Sequence, residues 1–69
     1  MAKYYVNDTA QMISGDHEVH KEDCRFLTLI VSKTYLGDFS NCKDAVKKAK
    51  TIYGQSDGCA TCSINCHNT

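Results

Sequence analysis

Two short pairs of metal-ligating residue types stand on either side of the middle of the chain. His20 and Cys24 form an H-x-x-x-C pair, and Cys59 and Cys62 form a C-x-x-C pair. Thiolate sulfur and imidazole nitrogen are the donors that Zn²⁺ takes most often, and a structural zinc ion binds four of them at tetrahedral corners. Because one tight loop directs both members of a short pair at the same ion, these four residues predict a zinc site of three cysteines and one histidine.

The remaining Cys and His residues leave the ligand set open. Cys42 falls on an apolar stripe, which favours a small buried hydrophobe. His17 lies near a predicted strand start, where a hydrogen-bonded or solvated side chain is the commoner case. Cys66 and His67 either move freely or reach the metal, and Cys42–Cys66 is the first disulfide to test if the protein is exported. The alternative ligand set is Cys24, Cys59, Cys62 and Cys66.

The length of the chain makes a covalent or metal staple important. Ordering one residue costs roughly 1.5 kcal/mol, so 69 residues cost on the order of 100 kcal/mol, which a small core barely offsets. Five Cys residues cannot all pair within one chain. The first residues lack the apolar stretch of a secretion signal, so we expect a cytoplasmic protein, in which clustered Cys residues are more often metal ligands than disulfides.

Charge and motifs exclude several classes of function. The chain has 8 Lys plus Arg and 8 Asp plus Glu, so it lacks the basic excess of a nucleic-acid-binding protein. No apolar run approaches the ~20 residues that span a bilayer, and we expect no membrane association. The C-x-x-C pair follows a predicted helix, unlike that of thioredoxins, and Ser63 stands where haem attachment requires His.

The elements that must position the two pairs form an α+β pattern. Tyr4, Tyr5 and Val6 are typical of a strand, Ser14-Gly15-Asp16 of a turn, and residues 17–20 of a second strand that forms a hairpin with the first. Residues 26–39 are rich in β-branched and aromatic types and predict a third strand.

A helix is predicted at about 41–53. Ser40 and Asn41 are good N-cap residues, and Gly54 is a typical helix stop. The apolar positions recur at helical spacing on one stripe: Cys42, Ala45, Val46, Ala49, Ile52 and Tyr53. We therefore expect one small α+β domain over 1–69, with the helix packed across the strands and a Cys-rich tail at 55–69. The helix would bring the two pairs together, and zinc would bind at the open end of the domain.

The order of strand, strand, H-x-x-x-C, helix and C-x-x-C resembles the N-terminal metal-binding domain of Ada-type DNA alkylation-repair proteins over residues 17–62. That family holds one zinc with C-x-x-x-C, a helix with an E-A or D-A step, matched here by Asp44-Ala45, and a C-x-x-C. The resemblance implies zinc at His20, Cys24, Cys59 and Cys62. In the family the first Cys accepts a methyl group from a DNA phosphotriester. His20 stands at that position, and because imidazole is a poor methyl acceptor, we do not expect repair activity.

The chain also resembles a group of short bacterial proteins. The shared segments are Y-Y-V-N at 4–7, G-D-H-E-V-H at 15–20, Y-L-G-x-F at 35–39 and G-C-x-x-C at 58–62. This resemblance covers most of the chain and implies no activity.

The sequence therefore predicts a small structural-zinc module without catalytic activity. A protein partner is the expected kind of partner, although the sequence names neither a partner nor an oligomeric state. One alternative is a thiol-reactive redox or sensor protein in which Cys66 or Cys24 reacts, and another is a disulfide-stapled domain. A further alternative is a nucleic-acid-binding module that uses the helix lysines.

Overall fold

The computed structural model describes residues 1–67, so the last two residues of the predicted tail, 68 and 69, lie outside the described part. Four strands form one mixed sheet in the order β3-β1-β2-β4. β1 pairs with β2 and β3 in antiparallel fashion, and β2 pairs with β4 in parallel. The predicted α+β class is confirmed. The elements are β1 (Ala2–Asn7), β2 (His17–Lys21), β3 (Lys33–Phe39), α1 (Cys42–Ala49), β4 (Ser56–Gly58) and 3₁₀-helices at Leu27–Leu29 and Ile64–Cys66.

Alternation along β1 and β2 gives the sheet two different faces. Val6 pairs with Val19, both are fully buried, and they form part of the main apolar core. Tyr5 pairs with His20, and neighbouring residues of a strand point to opposite sides of the sheet. Tyr5 and His20 therefore share the face opposite to Val6 and Val19. The predicted hairpin of the first two strands is confirmed, and Gly15 in its connection has a φ of 76° that suits glycine.

Helix α1 covers the face of the sheet that carries Val6 and Val19, which we call the core face. Its N-cap is the predicted Asn41, whose side chain accepts a hydrogen bond of 2.9 Å from the Asp44 N–H. The amphipathic stripe of the helix places Ala45 and Ala49 at zero exposure against the sheet. No helix within residues 1–67 has the length and apolar character needed to cross a membrane. The buried core is Tyr4, Val6, Val19, Leu36, Ala45, Val46 and Ala49.

The helix ends earlier than its apolar pattern predicts. It stops at Ala49 rather than near residue 53, and Ile52 is 45% exposed, so the prediction that Ile52 packs on the sheet is wrong. The Thr51 hydroxyl donates to the Lys48 carbonyl, a side-chain bond that competes with regular helix. Tyr53, also on the predicted stripe, does pack against the core, and its ring stacks on His17 with centroids 3.9 Å apart.

The third strand occupies only the second half of the predicted range. Residues 27–29 form a 3₁₀-helix instead, with the Leu27 N–H donating to the Cys24 carbonyl and the Ile30 N–H to the Leu27 carbonyl. Leu27 is buried against Cys24 and Cys59. The apolar and β-branched composition is therefore misleading, because the turn buries Leu27 without any strand partner.

The fourth strand has no signal of its own in the sequence. Ser56, Asp57 and Gly58 are residue types that disfavour strands, and their polarity predicts part of a tail instead. The strand forms because β2 offers a free edge: Ser56 pairs with His17 and Gly58 with Val19. All three residues of β4 are buried. This pairing is what brings the C-x-x-C pair to β2.

Candidate metal centre

Strand β2 and the turn after it position the first pair. His20 lies near the end of β2, and the Cys24 N–H donates to the Lys21 carbonyl at 3.0 Å, which closes a turn between them. This turn returns the Cys24 side chain toward the His20 ring. The H-x-x-x-C spacing is thus realised as one residue on a strand and one on the turn that leaves it.

Strand β4 and its following turn position the second pair. Cys59 directly follows β4, and its N–H continues the ladder by donating to the Val19 carbonyl at 3.0 Å. The Ser63 N–H donates to the Cys59 carbonyl at 2.9 Å, so the chain folds back tightly around Cys62. The parallel β2–β4 pairing then places both pairs at one end of neighbouring strands.

The four side chains converge closely enough to hold one metal ion. One ligand atom from each of His20, Cys24, Cys59 and Cys62 lies within 4.8 Å of the others, and we call these residues the ligand cluster. The Cys24 Sγ lies 3.5 Å from the His20 Nδ1 and 4.0 Å from the Cys59 Sγ. The Cys62 Sγ lies 4.0 Å from the same Nδ1. Zinc bond lengths imply tetrahedron edges of ~3.8 Å between two sulfurs and ~3.6 Å between sulfur and nitrogen.

The ligand cluster is shielded from water on most sides. His20, Cys24 and Cys59 are 2%, 6% and 3% exposed, whereas Cys62 is half-buried. Leu27 completes a small apolar group with Cys24 and Cys59, and Tyr5 and Ile30 pack against it. This apolar surrounding strengthens electrostatic attraction between thiolates and a cation.

Backbone amides point at two of the sulfurs. The Lys21 N–H donates to the Cys62 Sγ at 3.3 Å, and the Thr61 N–H donates to the Cys59 Sγ at 3.4 Å. Hydrogen bonds of this kind favour the charged thiolate over the thiol. The last residue of β2 and the C-x-x-C loop thus each direct one amide at a sulfur of the ligand cluster.

Burial disfavours the charged forms of Cys62 and His20. It raises the pKa of the Cys62 thiol to about 12, against the lowering effect of the Lys21 amide, because a thiolate loses hydration there. Burial also lowers the pKa of His20, while the Glu18 carboxylate works to raise it. A neutral imidazole is the form that ligates a metal, and a nearby cation is what overcomes the cost of forming buried thiolates.

Glu18 is a further residue of the site that sequence reasoning missed. Its Oε1 lies 3.7 Å from the His20 Nε2, which leaves Nδ1 facing the sulfurs. A carboxylate behind a metal-binding imidazole orients the ring and raises its basicity. The signal was present in the sequence, because residues two apart on a strand share a face.

The ligand cluster lies on the opposite face of the sheet from α1. It sits on the side of Tyr5 and His20, which we call the site face, whereas α1 packs on the core face. The expectation that the helix brings the two pairs together at an open end is therefore wrong. The sheet does so, since β2 and β4 are hydrogen-bonded neighbours.

The other Cys and His residues lie elsewhere. Cys42 and Cys66 are bonded to each other as a disulfide, so Cys42 is not simply a buried hydrophobe. The His17 Nδ1 lies 2.9 Å from the Asn7 carbonyl oxygen. The His67 Nδ1 lies 3.0 Å from the Gly58 carbonyl oxygen and 3.3 Å from an Asp57 carboxylate oxygen.

In comparisons with known proteins, no family model, curated protein or solved structure matches this chain. The likeness to Ada-type domains therefore stays a prediction from the residues quoted above.

Proposed function

We propose that this protein is a structural zinc-binding module in which the His20 Nδ1 and the sulfurs of Cys24, Cys59 and Cys62 hold one Zn²⁺. The convergence of these four donors within 4.8 Å carries the proposal. Three thiolates and one imidazole form a donor set that selects zinc among the common divalent ions. Because the protein fills all four positions, the site keeps no place for a reacting water, which favours a structural over a catalytic role.

Zinc at this position would stabilise the whole fold. Binding to small zinc domains contributes roughly 10–16 kcal/mol near neutral pH, which is comparable to the entire stability of an ordinary domain. The two ligand pairs come from β2 and from the end of β4, so the ion would join the hairpin to the C-terminal segment. Removal of zinc is therefore expected to destabilise the β2–β4 pairing as well as the ligand cluster.

The structure offers less support for the thiol-reactive alternative. Cys24 is almost fully buried beneath Leu27, and Cys66 is already bonded to Cys42. Cys24 therefore presents no thiol on the surface, and Cys66 presents one only after its bond to Cys42 is reduced. The nucleic-acid alternative rests on lysines of α1 in a chain of zero net charge, and we propose a protein partner instead.

We retain the cytoplasm as the proposed compartment. Since cytosolic glutathione and thioredoxin keep thiols reduced, Cys42 and Cys66 are expected as a dithiol there. Thiol trapping in intact cells, followed by mass measurement, tests this expectation. A predominantly disulfide-bonded population would favour an oxidising compartment and overturn it.

The test of the zinc proposal is native mass spectrometry of the purified protein before and after a chelator. We expect one zinc per chain, and far-ultraviolet circular dichroism should show loss of structure when zinc is removed. Cys24→Ser, Cys59→Ser and Cys62→Ser should each abolish stoichiometric binding, and His20→Ala should weaken it strongly. Matched controls are His17→Ala and His67→Ala, which should retain the ion because both side chains lie outside the ligand cluster.

Two outcomes would contradict this assignment. If Cys66→Ser loses zinc while His20→Ala retains it, the ligand set is Cys24, Cys59, Cys62 and Cys66. If the wild-type protein carries no metal and keeps its structure in chelator, the zinc function is wrong and the chain is a disulfide-stapled domain.

A further inference from the structure

The segment 59–66 runs around the β4 edge of the sheet from one face to the other, and we call it the edge segment. It begins at Cys59 in the ligand cluster on the site face. It ends at Cys66, which packs against the core beneath α1 and is bonded to Cys42 in the first turn of that helix. Two of the four ligand candidates therefore lie between β4 and the disulfide.

Ser63 and Cys66 anchor the edge segment against β4, whereas Ala60, Thr61, Ile64 and Asn65 are exposed. The Cys66 N–H donates to the Ser63 carbonyl at 2.9 Å, and the Ser63 N–H donates to the Cys59 carbonyl at 2.9 Å. Ser63 is 2% exposed, with its hydroxyl oxygen 3.7 Å from the Cys62 Sγ. A Cβ added to Gly58 would lie 2.7 Å from the Cys66 Cβ, which shows how tightly the end of the segment rests on β4. Ser63 thus links Cys66 to the Cys59–Cys62 turn through these hydrogen bonds.

The two disulfide residues are less buried than the core that they adjoin. Both of its residues are half-buried, and they line an open groove of about 810 Å³ on the surface of α1. Lys43, Lys47 and Lys50 also line this groove, and Asp44 is its one acidic residue within the described part of the chain. A small anionic thiol is therefore attracted to the groove that Cys42 and Cys66 line, because the groove carries excess positive charge.

We propose that Cys42–Cys66 is a redox-controlled staple of the metal centre: small thiols open it, and opening lowers the affinity of the ligand cluster for zinc. The proposal rests on the zinc-binding function proposed above. The disulfide would regulate zinc binding by the ligand cluster, although neither Cys42 nor Cys66 belongs to that cluster.

The opening reaction is two successive thiol–disulfide exchanges. A small thiolate attacks the Cys66 Sγ, the bond between the two protein sulfurs breaks, and Cys42 leaves as a thiolate at the positive end of α1. A second small thiolate attacks the mixed disulfide and releases Cys66. Two small thiols are oxidised to their disulfide, and their two protons pass to Cys42 and Cys66.

The expected effect on zinc affinity depends on how much of the edge segment must become ordered when zinc binds. With the staple closed, residues 24 positions apart are joined, so the metal-free chain already holds the edge segment near its bound arrangement. With the staple open, zinc must order that segment itself, and this cost subtracts from the observed affinity. We expect zinc affinity to fall roughly tenfold or more on reduction.

The experiment measures zinc affinity by competition with a chromophoric chelator, on wild-type protein equilibrated with oxidised or reduced glutathione. Mass spectrometry after alkylation reports whether the disulfide is closed. The Cys42→Ser/Cys66→Ser double variant is the matched control, because its affinity should equal that of the reduced wild type and should not respond to glutathione. This control also accounts for zinc that glutathione itself binds.

The outcomes separate this proposal from the zinc function. One zinc per oxidised chain, bound at least several-fold more tightly than by the reduced chain, supports the staple. Equal affinities of the two wild-type forms overturn it while the zinc function stands. Tighter binding by the reduced chain also overturns it, and lack of zinc binding by both forms overturns both proposals. If the double variant does not fold, the two wild-type forms still decide the result.

Discussion

Glu18 and His20 show how a single strand supplies both a ligand candidate and the group that orients it. The two residues lie on the site face of β2, with the carboxylate 3.7 Å from the ring nitrogen that does not face the sulfurs. That distance is longer than a direct hydrogen bond, so the contact is chiefly electrostatic. The carboxylate favours the ring orientation and the tautomer that present Nδ1 to the sulfurs of Cys24 and Cys62.

Replacement of Glu18 by Gln should therefore weaken zinc binding without removing a ligand. We expect a loss of about tenfold in affinity, at the lower end of what such orienting carboxylates contribute. The control is Asp23→Asn, which removes the same charge from an exposed residue beside Cys24. Chelator competition at neutral pH measures both variants, and equal affinities would show that Glu18 has no orienting role.

Cys24 decides whether the chain has the methyl-acceptor chemistry that its predicted likeness to Ada-type repair domains would imply. His20 occupies the acceptor position, and Cys24 is only 6% exposed, which leaves its sulfur little access to DNA. We expect no methyl transfer when the zinc-loaded protein is incubated with DNA that carries methyl phosphotriesters. Intact-mass measurement would reveal a gain of one methyl group, and its location on Cys24 would restore the repair function. Methyl iodide on the unfolded protein serves as the positive control.

At the scale of elements, substitutions on the buried and exposed faces of α1 show which face stabilises the fold. Val46 is 9% exposed in the core, and Lys47 is exposed. Val46→Asp should lower the free energy of unfolding by about 3 kcal/mol or more, because a carboxylate would be buried without a partner. Lys47→Asp should have little effect. Urea titrations compare the two, and equal changes would refute the assigned face.

β4 and the edge segment offer a second matched pair of substitutions. A methyl group at Gly58 would lie 2.7 Å from the Ser63 carbonyl oxygen, whereas Gly54 has open space around it. Gly58→Ala should destabilise the protein by roughly 1–3 kcal/mol, since backbone atoms must move apart. Gly54→Ala should be neutral or slightly stabilising through the unfolded chain. A Gly58→Ala protein with an unchanged melting temperature would contradict the close packing of Cys66 on β4.

At the scale of the whole molecule, Asp8 connects parts of the chain that are distant in sequence. Its carboxylate accepts hydrogen bonds from the hydroxyls of Ser32 at 2.7 Å, Tyr53 at 2.9 Å and Thr34. These bonds, the one from Thr34 foremost, hold the pKa of Asp8 below its usual value. They link the end of β1 to the start of β3 and to the segment that follows α1.

The lowered pKa predicts a pH dependence of stability. The pKa of Asp8 is lower in the folded state than in the unfolded state, where it is about 4. The ionised carboxylate therefore contributes its full share of the folding stability above about pH 4. This contribution disappears as the pH falls through the lower folded value. Asp8→Asn should therefore cost about 1 kcal/mol at pH 6, allowing for solvent screening, and progressively less below pH 4.

Urea midpoints of the two proteins, compared at each pH, test this expectation. Under the zinc proposal, both proteins would lose the metal in acid to the same extent, so that loss cancels in the difference. A stability difference that does not shrink below pH 4 would show that the carboxylate charge is not what the hydroxyls stabilise.

The sequence by itself determined features that depend on local spacing. The H-x-x-x-C and C-x-x-C pairs, the β1–β2 hairpin and the Asn41 cap all follow from residues close together in the chain, whose geometry the chain imposes directly. The tertiary structure decided the rest. β4 exists because β2 offers a partner, although Ser56, Asp57 and Gly58 have little strand preference of their own. The same long-range pairing placed the ligand cluster on the face opposite α1, and packing of the edge segment around β4 brought Cys66 to Cys42. Such contacts join residues far apart in sequence, and their free energy depends on partners that no local pattern contains.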